Sequence, residues 1–186
     1  MLTQLSVSED KKAQGQQQGL KLSLFDVSDV NNPQELTQFV LSDKYAYSTA
    51  EWEHKAFLFS KEKNLLVVPA SYYDWEHPDN QDSYNGALVF YVKRDDFGGR
   101  IELRGIVNHV LSETDDFWSR AVERSLYIDN LLYTKSSCLL RINTLAQLNP
   151  VLNLDLNCAY EQPILYSSSP AVDIPISLAP PSVPTI

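Results

Sequence analysis

The chain has 186 residues, of which 44% are hydrophobic and 21% charged, enough for one domain with a substantial core and ordinary for a folded protein. Its 24 acidic against 15 basic residues give a formal net charge of −9, which opposes binding to a nucleic-acid backbone, where clustered Lys and Arg are needed. No run of about 18 apolar residues occurs, so no membrane-spanning helix is encoded.

Residues 1–19 are rich in Gln, Lys, Ser and Asp and read as a flexible lead-in. They lack the apolar stretch of about 7–15 residues that a signal peptide requires. The chain is therefore expected either to be cytoplasmic or to start inside a larger protein whose leader and earlier repeats precede it. From Lys21 the pattern turns to strands. Leu22 and Leu24 alternate with polar residues, and Ser28 to Pro33 is a connection in which Asp and Asn side chains bond nearby backbone and Pro33 fixes the exit. A second apolar run, Leu36 to Leu41, follows.

Residues 42–54 form a link carrying Tyr45, Tyr47, Trp52 and two glutamates. A strand is expected over Lys55 to Phe59 and a polar turn over Ser60 to Asn64. Leu65-Leu66-Val67-Val68 is a nearly continuous apolar strand that needs cover on both faces. Tyr72 to Gly86 reads as a long loop, a feature that is usually functional or disordered. Strands at Ala87 to Val92 and Ile101 to Val107 flank a turn from Lys93 to Gly99, and the acidic stretch from Ser112 to Trp118 reads as a linker. Strands are then expected at Val122 to Ile128, Leu131 to Thr134, Cys138 to Ile142 and Val151 to Leu156. Asp129-Asn130 suits the first turn between them, because both residues tolerate positive φ; Asn143 to Asn149 makes the last.

Three stretches thus share one design of apolar strand, polar turn and apolar strand, beginning at Leu24, Leu88 and Leu139. Irregular repetition at roughly 40–65 residues of mostly β sequence points to an all-β fold of β-propeller blades, four-stranded antiparallel meanders that cannot bury their faces alone. The layout is a lead-in (1–19), a propeller fragment (20–157) and a Pro-rich tail (158–186). The fragment comprises a half blade (20–43) and two blades (54–107 and 118–156). The blades are expected to pack face to face, burying Phe57, Leu66, Val67, Leu126 and Leu132. A closed ring needs at least four blades, so the propeller is incomplete, with self-association expected through uncovered blade faces. The tail carries six prolines and Ser167-Ser168-Ser169, which keeps most of it out of a central ladder.

The run Gly19 to Val30, the pair His54 to Phe59 and Lys61 to Pro69, and the pair Ser125 to Ile128 and Leu131 to Thr134 resemble the C-terminal part of the prokaryotic secreted β-propeller-domain protein family. The resemblance covers roughly residues 19–156. It implies a propeller fold and an extracellular or envelope location, and it carries no catalytic residues with it.

The residues themselves offer few candidates for chemistry. Of the three histidines, His54, His77 and His109, two close the same triplet: Trp52-Glu53-His54 and Trp75-Glu76-His77. An aromatic, a carboxylate and an imidazole together can line a ligand pocket or supply a general acid and base, so Trp52, Glu53 and His54 are pocket candidates; the alternative is that His54 caps a blade edge. Tyr72, Tyr73, Trp75 and Tyr84 give the long loop an aromatic contact surface, since Tyr and Trp join apolar area to a polar tip. Asp74, Glu76, Asp79, Asn80 and Asp82 supply oxygen atoms but lack the order of an EF-hand; the loop reads as solvated and no metal is expected. Cys138 and Cys158 are either buried free thiols or a disulfide closing a loop of roughly 20 residues, worth about 3 kcal/mol in the chain-entropy model. No nucleophile elbow or phosphate loop is present, and no cofactor is expected. The reading is a non-catalytic binding or scaffolding module of the envelope or extracellular space, with a protein or envelope component as partner. The alternatives are a hydrolase or lyase in a central funnel using His54, or a truncated gene product.

Overall fold

Three antiparallel sheets follow one another along the chain, each a simple meander. The computed structural model describes residues 3–11, 17–41, 46–73, 83–95, 98–112 and 115–156. The first sheet contains β1 (Thr3–Lys11), β2 (Gln17–Asp26) and β3 (Gln34–Leu41) in the order β1-β2-β3. The second contains β4 (Leu58–Ser60), β5 (Leu65–Tyr72), β6 (Tyr84–Asp95) and β7 (Gly98–Asn108). The third contains β8 (Val122–Ile128), β9 (Leu131–Ser136), β10 (Leu139–Thr144) and β11 (Pro150–Asp155). Sequence neighbours pair throughout, giving the two expected four-stranded meanders of an incomplete propeller.

The second sheet lies between the other two and is buried on both faces. Leu66, Val68, Leu88, Phe90 and Val92 meet Leu20, Leu22 and Leu24 in a first core. Leu65, Val67, Ala87, Val89 and Val107 meet Val122, Leu132 and Leu145 in a second. The period-2 alternation of β5 sends successive side chains to opposite cores, which is why Leu65 to Val68 reads as an unbroken apolar run. At roughly 1.5–3 kcal/mol for each large apolar side chain fully buried, these two cores dominate the stability of the array. Asp26 accepts from Arg94 at 2.8 Å, tying the first sheet to the second. Arg94 first, then Ser28, hold the Asp26 carboxyl below the usual carboxylate range.

Four expectations are corrected. The lead-in is not unstructured over its length: Thr3–Lys11 is β1, pairing Leu5 with Leu24 and Val7 with Leu22. Leu5 and Val7 alternate with Ser6 and Ser8, a strand signal outweighed by polar composition. The half blade consequently has three strands. The strand expected from Lys55 begins only at Leu58, because His54–Ala56 forms a 3-10 turn capped by Glu53, whose carboxylate accepts from the Lys55 amide at 3.0 Å. The long loop shrinks, since β5 and β6 run on to pair Tyr72 with Tyr84. Finally, Leu126 is not buried but 48% exposed. A register shift between Val122 and Arg124 changes the phase of β8, so Tyr127 turns inward against the second core and Leu126 outward. Leu66, Val67 and Leu132 are buried as expected, and Phe57 is half-buried against the first core.

Candidate functional site

A cleft of about 550 Å³ lies between residues of the second and third sheets. Lys63, Arg104, Asn130, Thr144, Leu145 and Gln147 contribute to its walls. Three turns build it. Lys63 stands on the β4–β5 turn, where Asn64 takes a φ of 50° and its carbonyl accepts from the Val92 amide at 2.9 Å. Asn130 follows Asp129, at a φ of 52°, in the β8–β9 turn, and its carbonyl accepts from the Leu145 amide at 2.8 Å. The β10–β11 turn is closed by the Asn143 amide donating to the Leu148 carbonyl at 2.7 Å, and by the Thr144 hydroxyl accepting from the Asn149 amide at 3.1 Å.

Arg104, on β7, donates to the carbonyls of Leu145 and Ala146, the latter at 3.0 Å, and so spans the second and third sheets across the cleft floor. The cleft therefore presents one ammonium group, one guanidinium already bonded to carbonyls, two side-chain amides and a hydroxyl. Its lining contains neither a carboxylate nor an imidazole. Such a set binds hydrogen-bond acceptors; it holds no acid–base pair. None of these residues is singled out by sequence alone. Each turn is legible, but their convergence depends on how the sheets stack.

A second polar cluster lies buried between the same two sheets. His109 is fully buried, its Nε2 at 2.8 Å from the Thr134 hydroxyl and its Nδ1 at 3.1 Å from that of Ser136. Burial, then the charges of Arg141 and Arg120, push the imidazole pKa down to about 4, so the ring is neutral. The chain continues from here into Asn85, whose carbonyl accepts from the His109 amide at 2.8 Å and whose side chain bonds Ser71 and the Phe117 carbonyl. Asp115 meets Arg120 at 2.6 Å. Burial opposes its charge, but the amides of Leu111 and Ser112 together with Arg120 hold its pKa below the ordinary value. His109 itself is fully buried, and the network joins the second and third sheets.

The residues singled out from sequence fall elsewhere. Trp52 is 68% exposed and His54 is exposed. Glu53 bonds the Lys55 amide and lies 3.6 Å from Arg124 of β8. That amide first lowers the Glu53 pKa. The triplet does not line the cleft: Glu53 caps the start of one turn and links it to the third sheet. Tyr84 is 8% exposed within the first core, and half-buried Tyr72 packs against that core with its ring 5.9 Å from Tyr84. Both are packing residues, because the strands extend through them. Tyr73 alone of the described candidates joins a surface aromatic group, with Phe117 at 5.2 Å and Trp118 at 6.4 Å. Trp75, His77 and the acidic positions from Asp74 to Asp82 lie outside the described residues. Cys138 is disulfide-bonded; Cys158 lies outside the described residues. Among those described, no group of three or more His, Cys, Asp or Glu side chains could hold a metal ion.

The chain is 32% identical over 117 residues to an uncharacterized protein of Methanocaldococcus jannaschii, a match that covers 63% of this chain and 14% of that relative. No solved structure matches. The chain thus spans about one-seventh of the length of the curated relative it matches. A family model described as the beta propeller domain matches residues 5–148, in accord with the meanders and the stacked sheets, and the chain belongs to that family.

Proposed function

We propose that this chain is a non-catalytic binding or scaffolding module of the cell envelope or extracellular space, recognising a protein or envelope component through turns held on a rigid stack of blades. The observation that carries the reading is the cleft, walled by three turns from two blades and lined by donors with no acid or base among them. Turns on a rigid frame are a common basis of recognition. A disulfide at Cys138 supports an exported location, since such bonds persist in oxidising compartments. The hydrolase or lyase alternative loses its support, because His54 is exposed and its neighbouring carboxylate is committed to Lys55 and Arg124.

Co-sedimentation with washed envelope membranes tests the reading. The wild-type chain is expected to bind saturably. Lys63→Glu and Gln147→Ala are expected to weaken binding about tenfold each, the loss of one good contact, with an unchanged melt. Absence of saturable binding removes the envelope assignment, and equal binding by all three proteins removes the cleft.

A further inference from the structure

The three turns that wall the cleft are held in place before anything enters it. Asn64, Asp129 and Leu148 are the non-glycine residues of positive φ among the described residues, and one stands in each turn. Asn and Asp adopt this conformation readily; a leucine at a φ of 59° does not. The Leu148 amide donates to the Thr144 carbonyl at 2.9 Å, the Asn143 side chain holds its carbonyl, and its own side chain packs against the second core. Strain over-determined in this way belongs to sites whose geometry is set in advance. The cleft also has a charge of its own. Arg94, Arg120, Arg124 and Lys135 each meet a carboxylate. Lys63 and Arg104 do not: the Lys63 ammonium and the Nε and Nη1 of Arg104 have no partner among the described residues. No carboxylate lines the cleft, although Glu62 and Asp129 stand beside Lys63 and Asn130 in the chain.

On the reading of the cleft as a recognition site, we propose that it takes an acidic peptide segment, with carboxylates received by Lys63 and Arg104 and apolar side chains by Leu131 and Ala146. Leu131 and Ala146 put apolar surface into the same lining, which an inorganic anion leaves unused. Asn130 and Gln147 donate and accept alike, so they match the amides and carbonyls of a peptide backbone. Arg104 is fixed by its bonds to the Leu145 and Ala146 carbonyls, so its remaining N–H groups are presented at little cost in side-chain entropy. A volume of about 550 Å³ falls within the range of about 300–1,000 Å³ for ligand pockets, room for a short segment and not for a folded domain. The attraction has to be local. With a net charge of −9, the chain as a whole repels an acidic peptide and favours a basic one.

Fluorescence anisotropy of the full chain with short labelled peptides is the test, the peptides alternating Leu with Asp, with Asn or with Lys. The Asp peptide is expected to bind with a dissociation constant on the order of 10–100 μM, the Asn peptide at least about tenfold more weakly, and the Lys peptide more weakly still. Raising salt from about 50 to about 300 mM should weaken the Asp peptide severalfold and leave the Asn peptide unchanged. Lys63→Gln is expected to cost the Asp peptide about tenfold and the Asn peptide nothing, whereas Lys63→Arg costs less than about twofold. Lys63 is exposed, so the melt of both variants should match that of the wild type. Preference for the Lys peptide, equal binding of all three, or an Asp-peptide affinity indifferent to Lys63→Gln overturns the proposal. So does displacement of the Asp peptide by inorganic phosphate at about 1 mM, which would make the cleft a site for simple anions. Its failure is distinct from failure of the recognition reading. Saturable envelope binding that Gln147→Ala weakens, without preference for the Asp peptide, keeps the recognition site and overturns its acidic ligand. Preference for the Asp peptide that Lys63→Gln abolishes, without envelope binding, supports the acidic ligand and removes the envelope assignment alone.

Discussion

At the scale of single residues, His109 carries a pH dependence. Its pKa in the fold, about 4, lies below the ordinary 6.5, so the unfolded chain takes up the proton first. Its contribution is complete above pH 6.5, declines as pH falls, and is gone near pH 4, a loss of about 3 kcal/mol over that window. Chemical denaturation from pH 7.5 to 4 should show this slope, and His109→Gln should flatten it. A slope unchanged by the substitution would assign the effect to other groups. Sequence favours His54 and His77 because each sits beside a tryptophan and a carboxylate. His109 has no such neighbours. Its partners, Thr134 and Ser136, are 25 and 27 positions away, and the only trace in sequence is their place on the same face of β9 as Leu132.

At the scale of the elements, the strand pairing was legible wherever apolar residues run together, as in β5 and β6, and obscure where register decides. Tyr84 sits in sequence at the edge of an acidic stretch, yet β6 begins with it. Leu126 is apolar and faces out because one shift in β8 inverts the face of every residue beyond it. β1 is mostly polar and is held by pairing with β2. Gly86 marks where β6 and β7 approach most closely: a Cβ there would stand 2.2 Å from the Val107 carbonyl oxygen and 2.9 Å from the Asn108 Cα. Neither backbone atom can move without disturbing the ladder from Gly86 to Val92. Gly86→Ala is therefore expected to cost about 2 kcal/mol or more, in the range of overpacked cores, read as a fall in melting temperature. Gly105→Ala, whose nearest neighbour is the flexible end of Leu148 at 3.0 Å, should cost less. An equal fall for both would deny the close approach its role.

At the scale of the whole molecule, stability comes from two cores that share the middle sheet, with Arg94–Asp26 on one side and Arg104 on the other as polar ties. The third sheet has an additional fastening at Cys138, the first residue after β9 but one, and Cys158 is the chain's other cysteine. Peptide mapping without reductant is expected to recover Cys138 joined to Cys158. Reduction should then lower the unfolding free energy by about 3 kcal/mol, as closure of a loop of roughly 20 residues predicts. Two free thiols by labelling of the non-reduced protein would exclude the bridge.

The alternation of β5 also couples the three sheets. Leu66 and Val68 enter one core while Leu65 and Val67 enter the other, so both cores are strung on a single backbone of eight residues. Close-packed interiors transmit strain, and a displacement of β5 toward one neighbour draws it from the other. Neither outer sheet has a core of its own making; each borrows the middle one, and the stack holds or loosens as one body.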